Sequence, residues 1–243
     1  MNETLYKIID SASSHWWGKL QASGQIDKVT SSSLAKLITD HFGAINQPSH
    51  VCRPTITQAL ELLNCRSATI IETGTATYGT QSSSLFDGYV CSYGGSLLSV
   101  DSRIEPMLKT QAVCSQKSIF YCDDSVSFLK KVSRDIPKVD LLYLDSWDVD
   151  LSDPLPSALH GLNGYLHAIP MIKSGTILLI DDTPRTFANW AEAHGTSAES
   201  KFVEFERHYG FKPGKGSLVK SYLESQNVGS VVSHEYQYLY MFH

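Results

Sequence analysis

The sequence predicts an α/β fold built on a doubly wound, mostly parallel sheet. Three observations predict it. From Ala68 onward short apolar runs alternate with helix-length stretches, an acidic residue ends or directly follows each of those runs, and two more strand-like runs lie close together in the tail. A chain of 243 residues can bury a substantial core as one domain with an appendage.

Five short runs supply the predicted parallel strands, at 68–72, 96–101, 118–122, 139–145 and 176–182. Each run is almost continuously apolar, which is typical of strands that helices cover on both faces. The stretches between them are long enough for right-handed crossover helices. The alternation therefore indicates repeated strand–helix–strand units and a Rossmann-like sheet.

The tail, "VGSVVSHEYQYLYMFH" at 228–243, contains two strand-like runs with little room for a helix between them. That spacing favours an antiparallel last strand. The sheet is therefore expected to have seven strands.

Two segments depart from the alternation. Residues 1–55 are expected to form an N-terminal helical region, either a lid or an oligomer contact; it includes "HWW" at 15–17, and its aromatic residues suggest a homo-oligomer. Residues 56–243 are expected to form the main domain. Its insertion at about 183–216 carries several aromatic residues and two glycine-rich joints. We expect that insertion to cap the carboxyl edge of the sheet.

Composition narrows the expected partners and location. The net charge is −5 and Lys and Arg form no cluster, so nucleic acid is not expected as a partner. No apolar run approaches the roughly 20 residues that a membrane span needs, and the first residues do not read as a secretory signal. The five cysteines are odd in number and lack CxxC spacing, which favours buried free thiols in a reducing cytoplasm.

Acidic residues end all five predicted parallel strands. They are Glu72, Asp101, Asp123 with Asp124, Asp145, and Asp181 with Asp182. Ligands of open α/β sheets bind beyond the carboxyl ends of the strands. One such acid is readily explained as a helix N-cap, and for Asp124 or Ser125 that interpretation is as good as a functional one. The same feature at five strand ends indicates a binding site.

The loop after the first strand, "ETGTATYG" at 72–79, places Gly74 and Gly79 where the backbone could pass close to a ligand and turn into a helix. It lacks the GxGxxG spacing of a Rossmann dehydrogenase, and no GK[ST] follows as in a P-loop. A glycine loop that opens on an acid and has no phosphate cradle suits a nucleoside with a cationic tail. Asp101 could then bind a pair of ribose hydroxyls.

At these residues the sequence resembles the class I S-adenosylmethionine-dependent methyltransferases. More narrowly, it resembles the small-molecule O-methyltransferases of bacterial secondary metabolism and surface-sugar modification. The resemblance covers roughly residues 66–243, and the segments that carry it are "IIETGTATYGTQSS", "LLSVD", "FYCDDSVSFL", "LLYLDSWDVD", "GTILLIDDTP" and "GKGSLVKSYL". Family members often place the second glycine six residues after the acid, whereas this chain has Tyr78 there and Gly79 next.

The resemblance implies a set of residues that bind S-adenosylmethionine. Glu72, Gly74 and Thr75 would line its methionine and ribose end, and Asp101 would hold the ribose. Asp123 or Asp124, with Ser125, would face the adenine. The complete predicted set is Glu72, Gly74, Thr75, Gly79, Asp101, Asp123, Asp124, Ser125 and Asp145.

Methyl transfer from a sulfonium requires aligned reactants and a nucleophilic acceptor oxygen. In the metal-assisted O-methyltransferases that the chain resembles, acids matching Asp145, Asp181 and Asp182 hold a divalent cation. Mg²⁺ prefers such oxygen ligands and lowers the pKa of a bound hydroxyl. The alternative is that Asp181 and Asp182 only cap the segment that follows them.

A histidine base is the second route to an activated acceptor. His160 and His167 lie seven residues apart on a predicted helix and therefore on one face of it. The segment before His160 resembles part of the family, although a histidine on a helix is more often structural. The predicted catalytic set is Asp145, His160 and Asp182.

The expected function is an S-adenosylmethionine-dependent O-methyltransferase that acts on a hydroxyl of a small molecule, such as a sugar or a natural-product intermediate. An N-methyltransferase with the same donor site is one alternative. A non-catalytic module that binds S-adenosylmethionine is another. The glycine spacing after the first strand disfavours a nicotinamide oxidoreductase.

Overall fold

The computed structural model describes residues 33–75 and 79–243. The "HWW" segment at 15–17, and with it most of the predicted N-terminal region, lies outside the described residues. Among the described helices, none combines the length and the apolar character that crossing a membrane requires.

Seven strands form one sheet. They are β1 (Ala68–Thr73), β2 (Gly95–Asp101), β3 (Ser118–Cys122), β4 (Leu141–Leu144), β5 (Ile177–Ile180), β6 (Gly229–His234) and β7 (Tyr238–Phe242). Their order across the sheet is β3-β2-β1-β4-β5-β7-β6. The first five strands pair in parallel, and β7 pairs antiparallel with both β5 and β6. The predicted seven-stranded Rossmann-like sheet with an antiparallel last strand is confirmed.

Nine helices lie in the described residues. They are α1 (Leu34–Ala44), α2 (Arg53–Leu62), α3 (Ser82–Tyr93), α4 (Ile104–Gln111), α5 (Ser125–Val132), α6 (Leu155–Ala168), α7 (Phe187–His194), α8 (Glu199–Tyr209) and α9 (Ser217–Gln226). A short 3₁₀ helix, Ile169–Met171, follows α6. Helices α3 to α6 connect the parallel strands, as the alternation predicted.

The sheet carries an apolar core on each face. Successive residues of β4 point to opposite faces, so that Leu141 and Tyr143 join one core while Leu142 and Leu144 join the other. Burial on both faces explains why the strands read as continuous apolar runs in the sequence.

Helices α1 and α2 pack into the same core as the centre of the sheet. Phe42 of α1 and Ile56 of α2 are fully buried there beside Tyr143. The domain boundary predicted between residues 55 and 56 falls inside α2. The described part of the predicted N-terminal region is thus continuous with the core of the main domain.

The predicted insertion at 183–216 contains α7 and α8. Trp190 of α7 and Phe202 of α8 form a small buried cluster with Leu151, which follows β4. The aromatic residues of this segment therefore serve to attach it to the chain beyond the end of β4.

The five cysteines are all described and all are free thiols, but only Cys52 is buried. The expectation of buried thiols is thus wrong for Cys65 and Cys122, which are exposed, while Cys91 and Cys114 are partly buried. Cys122, for example, is exposed because it ends β3, which is an edge strand with one neighbour.

Candidate active site

The carboxyl ends of β1 and β4 meet at the centre of the sheet, where the order in which the chain adds strands reverses. Such a switch point opens a crevice in doubly wound sheets. Gly74 follows β1 with a φ of +84°, and a Cβ at this position would lie 2.6 Å from the backbone oxygen of Asp145. A glycine is therefore needed for this loop to pass against the end of β4.

Glu72 is fully buried, and its carboxylate accepts hydrogen bonds from three serine hydroxyls. Ser82 and Ser99 each donate at 2.6 Å, and Ser83 makes a still closer contact. Burial raises the pKa of Glu72, and the three hydroxyls act against that shift. The predicted cofactor residue Glu72 thus ties β1 to β2 and to the first turn of α3.

Thr75 and Gly79 take different positions in the loop. Thr75 is buried, with its Oγ1 2.9 Å from Ser99 Oγ. Gly79 has a φ of +63°, and within 4 Å a Cβ there would meet only His50 Nε2, at 3.9 Å. Of the loop residues Gly74, Thr75 and Gly79, it is Gly79 that borders open space.

Asp101 ends β2 and is almost completely buried, but its partner is an exposed side chain. Arg103 Nη2 lies 2.8 Å from Asp101 Oδ2, and Arg103 Nε lies 2.9 Å from Oδ1. The Arg103 side chain is 65% exposed, so the guanidinium can leave without disturbing packed neighbours. A ribose at Asp101 would replace that guanidinium as its partner.

Asp123 and Asp124 lie after β3 and have separate local partners. Asp123 Oδ2 pairs with Lys131 Nζ at 2.6 Å. Asp124 is the N-cap of α5, where its side chain accepts a hydrogen bond from the backbone of Ser127 at 2.8 Å. The N-cap interpretation of Asp124 is confirmed.

Ser125 begins α5 and lies in a polar cluster with His160. Its Oγ is 2.8 Å from His160 Nε2 and 2.9 Å from Ser146 Oγ. Trp147 lies against the histidine, with the ring centroids 5.1 Å apart. Burial lowers the pKa of His160, which favours its neutral form. The structure therefore places the predicted base His160 beside the predicted adenine contact Ser125.

The three predicted metal ligands come together. Asp145 follows β4, and Asp181 and Asp182 follow the neighbouring strand β5. One carboxylate oxygen from each residue lies within 4.8 Å of the other two. We call these three residues the carboxylate cluster.

Lys215 was not predicted as a site residue, but its side chain lies within the carboxylate cluster. Its ammonium is 2.6 Å from Asp145 Oδ1 and 2.8 Å from Asp182 Oδ2, and the residue is 2% exposed. The signal in the sequence was a lysine between Gly214 and Gly216, which indicates a close backbone approach at this point.

Neutral donors were missed as well. Tyr236 donates a short hydrogen bond to Asp182 Oδ1, and Gln237 Nε2 donates to Asp181 Oδ1 at 2.7 Å. Cys52 Sγ lies 3.4 Å from the same Asp181 oxygen. A glutamine within an otherwise apolar terminal strand run was the one available sign, since a buried amide needs polar partners.

The carboxylates of Asp145 and Asp182 share one ammonium but titrate in opposite directions. Burial raises the pKa of Asp145 well above its usual value, and Lys215 only partly opposes this. Burial acts in the same direction on Asp182, but Lys215, His194 and Tyr236 outweigh it and leave the pKa lowered. Asp182 is therefore the more firmly charged of the two, and Asp145 is the better proton acceptor.

A cleft of about 680 Å³ opens beside the carboxylate cluster. The histidines that line it, among the described residues, are His50 and His194. His194 belongs to α7, and its Nε2 lies 2.8 Å from the hydroxyl oxygen of Tyr236. The predicted insertion thus forms part of the wall of this cleft, whereas His160 is not among its lining residues and lies beside Ser125 and Ser146.

The carboxylate cluster matches a divalent cation in ligand type and in spacing, because Mg²⁺ prefers carboxylate oxygens. Two of its three members already hold the Lys215 ammonium, and an added ion would compete with it. A metal at Asp145, Asp181 and Asp182 stays a prediction.

No family model matches this sequence, and no curated protein matches it. Solved structures do match. The MycE methyltransferase from the mycinamycin biosynthetic pathway, in complex with Mg and SAH, aligns with a TM-score of 0.58 at 13% identity over 88% of this chain and 55% of that one. A MycE complex with Mg, SAH and mycinamycin VI gives 0.58 at 12% identity over 84% and 54%. The O-methyltransferase TomG from Streptomyces achromogenes, in complex with SAM, aligns with a TM-score of 0.49 at 13% identity over 92% and 95%.

The chain spans about half the length of the MycE chain that it matches. At this level of identity the match concerns the fold. The chain has the Rossmann-like fold of the class I S-adenosylmethionine-dependent methyltransferases, as the resemblance in its sequence led us to expect.

Proposed function

We propose that this chain is an S-adenosylmethionine-dependent O-methyltransferase that acts on a hydroxyl group of a small molecule, a sugar or a natural-product intermediate. The observation that carries the proposal is the cleft beside the carboxylate cluster at the ends of β4 and β5, which Gly79 of the loop after β1 also lines. In this fold a ligand binds at the same point of the sheet. A matched MycE methyltransferase is in complex with Mg, SAH and mycinamycin VI, which supports a methyl donor and a small-molecule acceptor for this chain.

The donor nucleoside is proposed to lie over β1, β2 and β3. Asp101 is the residue best suited to the ribose, because its present partner Arg103 is exposed and replaceable. Ser125 is proposed to face the adenine. Gly79 follows the loop after β1 and lines the cleft, so it is proposed to lie where the donor meets the acceptor. Glu72 is proposed to act indirectly, by fixing the loop that follows β1.

The acceptor is proposed to lie in the cleft between the carboxylate cluster and α7. Bound S-adenosylmethionine supplies an electrophilic methyl group on its sulfonium. The acceptor oxygen forms a bond to that carbon as the carbon–sulfur bond breaks, and the hydroxyl proton must go to a base. Asp145 is placed to take it, because it lines the cleft directly after the end of β4. The predicted alternatives are His160 as the base and a Mg²⁺ ion held by the carboxylate cluster.

Calorimetry with S-adenosylhomocysteine and with NAD tests the donor. We expect S-adenosylhomocysteine to bind and NAD not to bind. Binding of NAD without binding of S-adenosylhomocysteine would refute the proposal. A mass-spectrometric screen of sugars and hydroxylated metabolites should then reveal a product that has gained one CH₂ unit. A product methylated on nitrogen would favour the N-methyltransferase. Donor binding with no product from any acceptor would favour the non-catalytic module.

The Asp101→Asn variant tests the donor site itself. Loss of a charged acceptor for two ribose hydroxyls should weaken S-adenosylhomocysteine binding by roughly tenfold to a hundredfold. Asp150→Asn is the matched control, because Asp150 is exposed and its side chain contacts the backbone of Ser152. Equal affinities in the two variants would show that Asp101 does not hold the ribose.

A further inference from the structure

Lys215 is buried together with the residues on either side of it, which is unusual for a lysine. Residues 213–217, "PGKGS", are all buried, and Lys215 is 2% exposed. Lysine is almost never fully buried unless it is paired, because removing an ammonium from water is unfavourable by several kcal/mol. Lys215 meets that condition, because its ammonium lies 2.6 Å from Asp145 Oδ1 and 2.8 Å from Asp182 Oδ2. The two carboxylates supply the negative charge that a buried ammonium requires.

All three N–H groups of this ammonium are used within the protein. They reach the Asp145 backbone oxygen at 3.1 Å, Asp145 Oδ1 at 2.6 Å and Asp182 Oδ2 at 2.8 Å. An ammonium has three donors, so none is left for a substrate. Lys215 thus acts on the ends of β4 and β5 and not on a ligand in the cleft.

The backbone around Lys215 is held from two sides, which fixes the root of its side chain. Its N–H donates to the Asp182 carbonyl at 3.0 Å, and the N–H of Gly216 donates to Thr183 Oγ1 at 2.9 Å. On the other side, a Cβ on Gly161 of α6 would lie 2.1 Å from the Lys215 carbonyl oxygen. The ammonium is therefore delivered to the carboxylate cluster by a segment with no room to shift.

The carboxylate oxygens of the cluster are largely occupied. In addition to the two that Lys215 holds, Asp182 Oδ1 accepts from Tyr236, Asp181 Oδ1 accepts from Gln237, and Asp145 Oδ2 lies 3.3 Å from the Tyr143 hydroxyl. Five of the six oxygens thus have a donor among the described residues. A divalent ion would have to displace such donors and would lie close to a buried ammonium of like charge.

We propose that Lys215 is the resident cation of the carboxylate cluster and a positioning residue of the active site. Its ammonium holds Asp145 and Asp182 in the arrangement for which a divalent ion would otherwise be needed. The cluster accordingly binds no divalent ion in the wild-type protein and gains that ability when the lysine is removed. The role of Lys215 as a positioning residue rests on the proposed function, but metal binding by the carboxylate cluster can be measured without any substrate.

Titration of the full chain with Mn²⁺, followed by calorimetry and by the electron paramagnetic resonance of free Mn²⁺, tests the proposal. We expect no binding to the wild-type protein up to millimolar Mn²⁺, and binding at least about tenfold tighter than that limit in Lys215→Met. Lys212→Met is the matched control, because Lys212 lies three residues away and pairs with Glu206 at the surface. That variant should behave as the wild type does.

Two results would overturn the proposal. One is Mn²⁺ binding by the wild type that Asp182→Asn abolishes, and the other is a folded Lys215→Met that binds no Mn²⁺. If Lys215→Met does not fold, the Mn²⁺ titration of the wild-type protein tests the proposal. The thermal midpoint of the wild-type protein should then also be unchanged by added Mg²⁺. Calorimetry with S-adenosylhomocysteine on the same sample tests the proposed function separately. If S-adenosylhomocysteine does not bind, the proposed function fails, but the Mn²⁺ titrations still test the role of Lys215.

Discussion

The two halves of the carboxyl edge use their acids differently. On the β1–β3 side each acid has its own nearby partners: Glu72 is held by serine hydroxyls, Asp101 by Arg103, and Asp124 by the backbone of α5. On the β4–β5 side the carboxylates converge and share one lysine from a distant part of the chain. The same sequence feature, an acid at a strand end, thus leads to separate local contacts in one half and to a charged cluster in the other.

Acids at strand ends therefore do not by themselves define a site. What distinguishes the β4–β5 half is that three carboxylates converge there and that two of them share a cation from a distant part of the chain. Buried charge of this kind is expensive to disrupt, whereas exposed pairs and caps contribute about 1 kcal/mol or less. Substitutions in the two halves should therefore differ in size.

The largest effect is expected for Asp182→Asn. The substitution keeps the shape of the side chain but removes one of the two carboxylates that hold the buried Lys215 ammonium. We expect the free energy of unfolding to fall by about 3 kcal/mol, as measured by urea denaturation. Asp123→Asn, in the exposed pair with Lys131, should lower it by less than about 1 kcal/mol. Equal losses in the two variants would contradict the distinction between the halves.

The next effect is expected at Glu72. Glu72→Ala leaves three buried serine hydroxyls without their acceptor and should lower the free energy of unfolding by about 2 kcal/mol. Glu72→Gln keeps one acceptor oxygen and should lose clearly less in the same denaturation experiment. If Gln were as harmful as Ala, the charge of Glu72 would matter more than its hydrogen bonds, and the β1–β3 half would resemble the β4–β5 half after all.

A smaller effect is expected at the cap of α5. Asp124→Ala should lower the free energy of unfolding by about 1 kcal/mol, because it removes the hydrogen bond to the Ser127 backbone. Asp124→Ser retains a capping oxygen and should stay close to the wild type in thermal unfolding. A loss in Asp124→Ser as large as that in Asp124→Ala would show that the residue does more than cap the helix.

The smallest effect is expected from acidification, through buried histidines. Burial lowers the pKa of His41 and of His234 below the usual value of about 6.5. Below that value the unfolded chain binds more protons than the folded protein does. The contribution of these histidines to the free energy of unfolding is therefore fully present above about pH 6.5, and it is lost as the pH decreases toward their folded-state pKa. Thermal midpoints between pH 7.5 and 5 should show this fall, and His41→Gln should reduce it. A midpoint that rose on acidification would contradict the direction of these shifts.

Much of the fold could be predicted because it follows from local patterns. The runs at 68–72 and 118–122 became β1 and β3 almost residue for residue, since their apolar character and length are properties of the segments themselves. The runs at 139–145 and 176–182 were predicted too long, because the terminal aspartates leave the strands and turn toward the cleft. The placement of Asp145, Asp181 and Asp182 together followed from the adjacency of parallel strands.

The roles of individual acids were harder to predict. Glu72 was expected to line the donor, and the sequence did not predict that its carboxylate also accepts a hydrogen bond from Ser99, which is 27 residues away on β2. His160 was expected near the acceptor and lies beside Ser125, while His194 of α7 borders the cleft. These differences arise because a side chain's neighbours depend on how helices pack over the sheet, which strand periodicity does not encode.

The amino-acid sequence alone was enough to predict the succession of strands and helices along the chain, the antiparallel strand at the end of the sheet and the acids at its carboxyl edge. These depend on the spacing of apolar residues along the chain and on the geometry that any parallel sheet shares. Only the tertiary structure decided that Lys215, 70 residues beyond Asp145, enters the carboxylate cluster, and that Tyr236, 54 residues beyond Asp182, joins it. Contacts over such separations depend on how α6, the end of β5 and the terminal strands pack together. That packing, and not the neighbouring residues in the sequence, places a buried charge beside its partner.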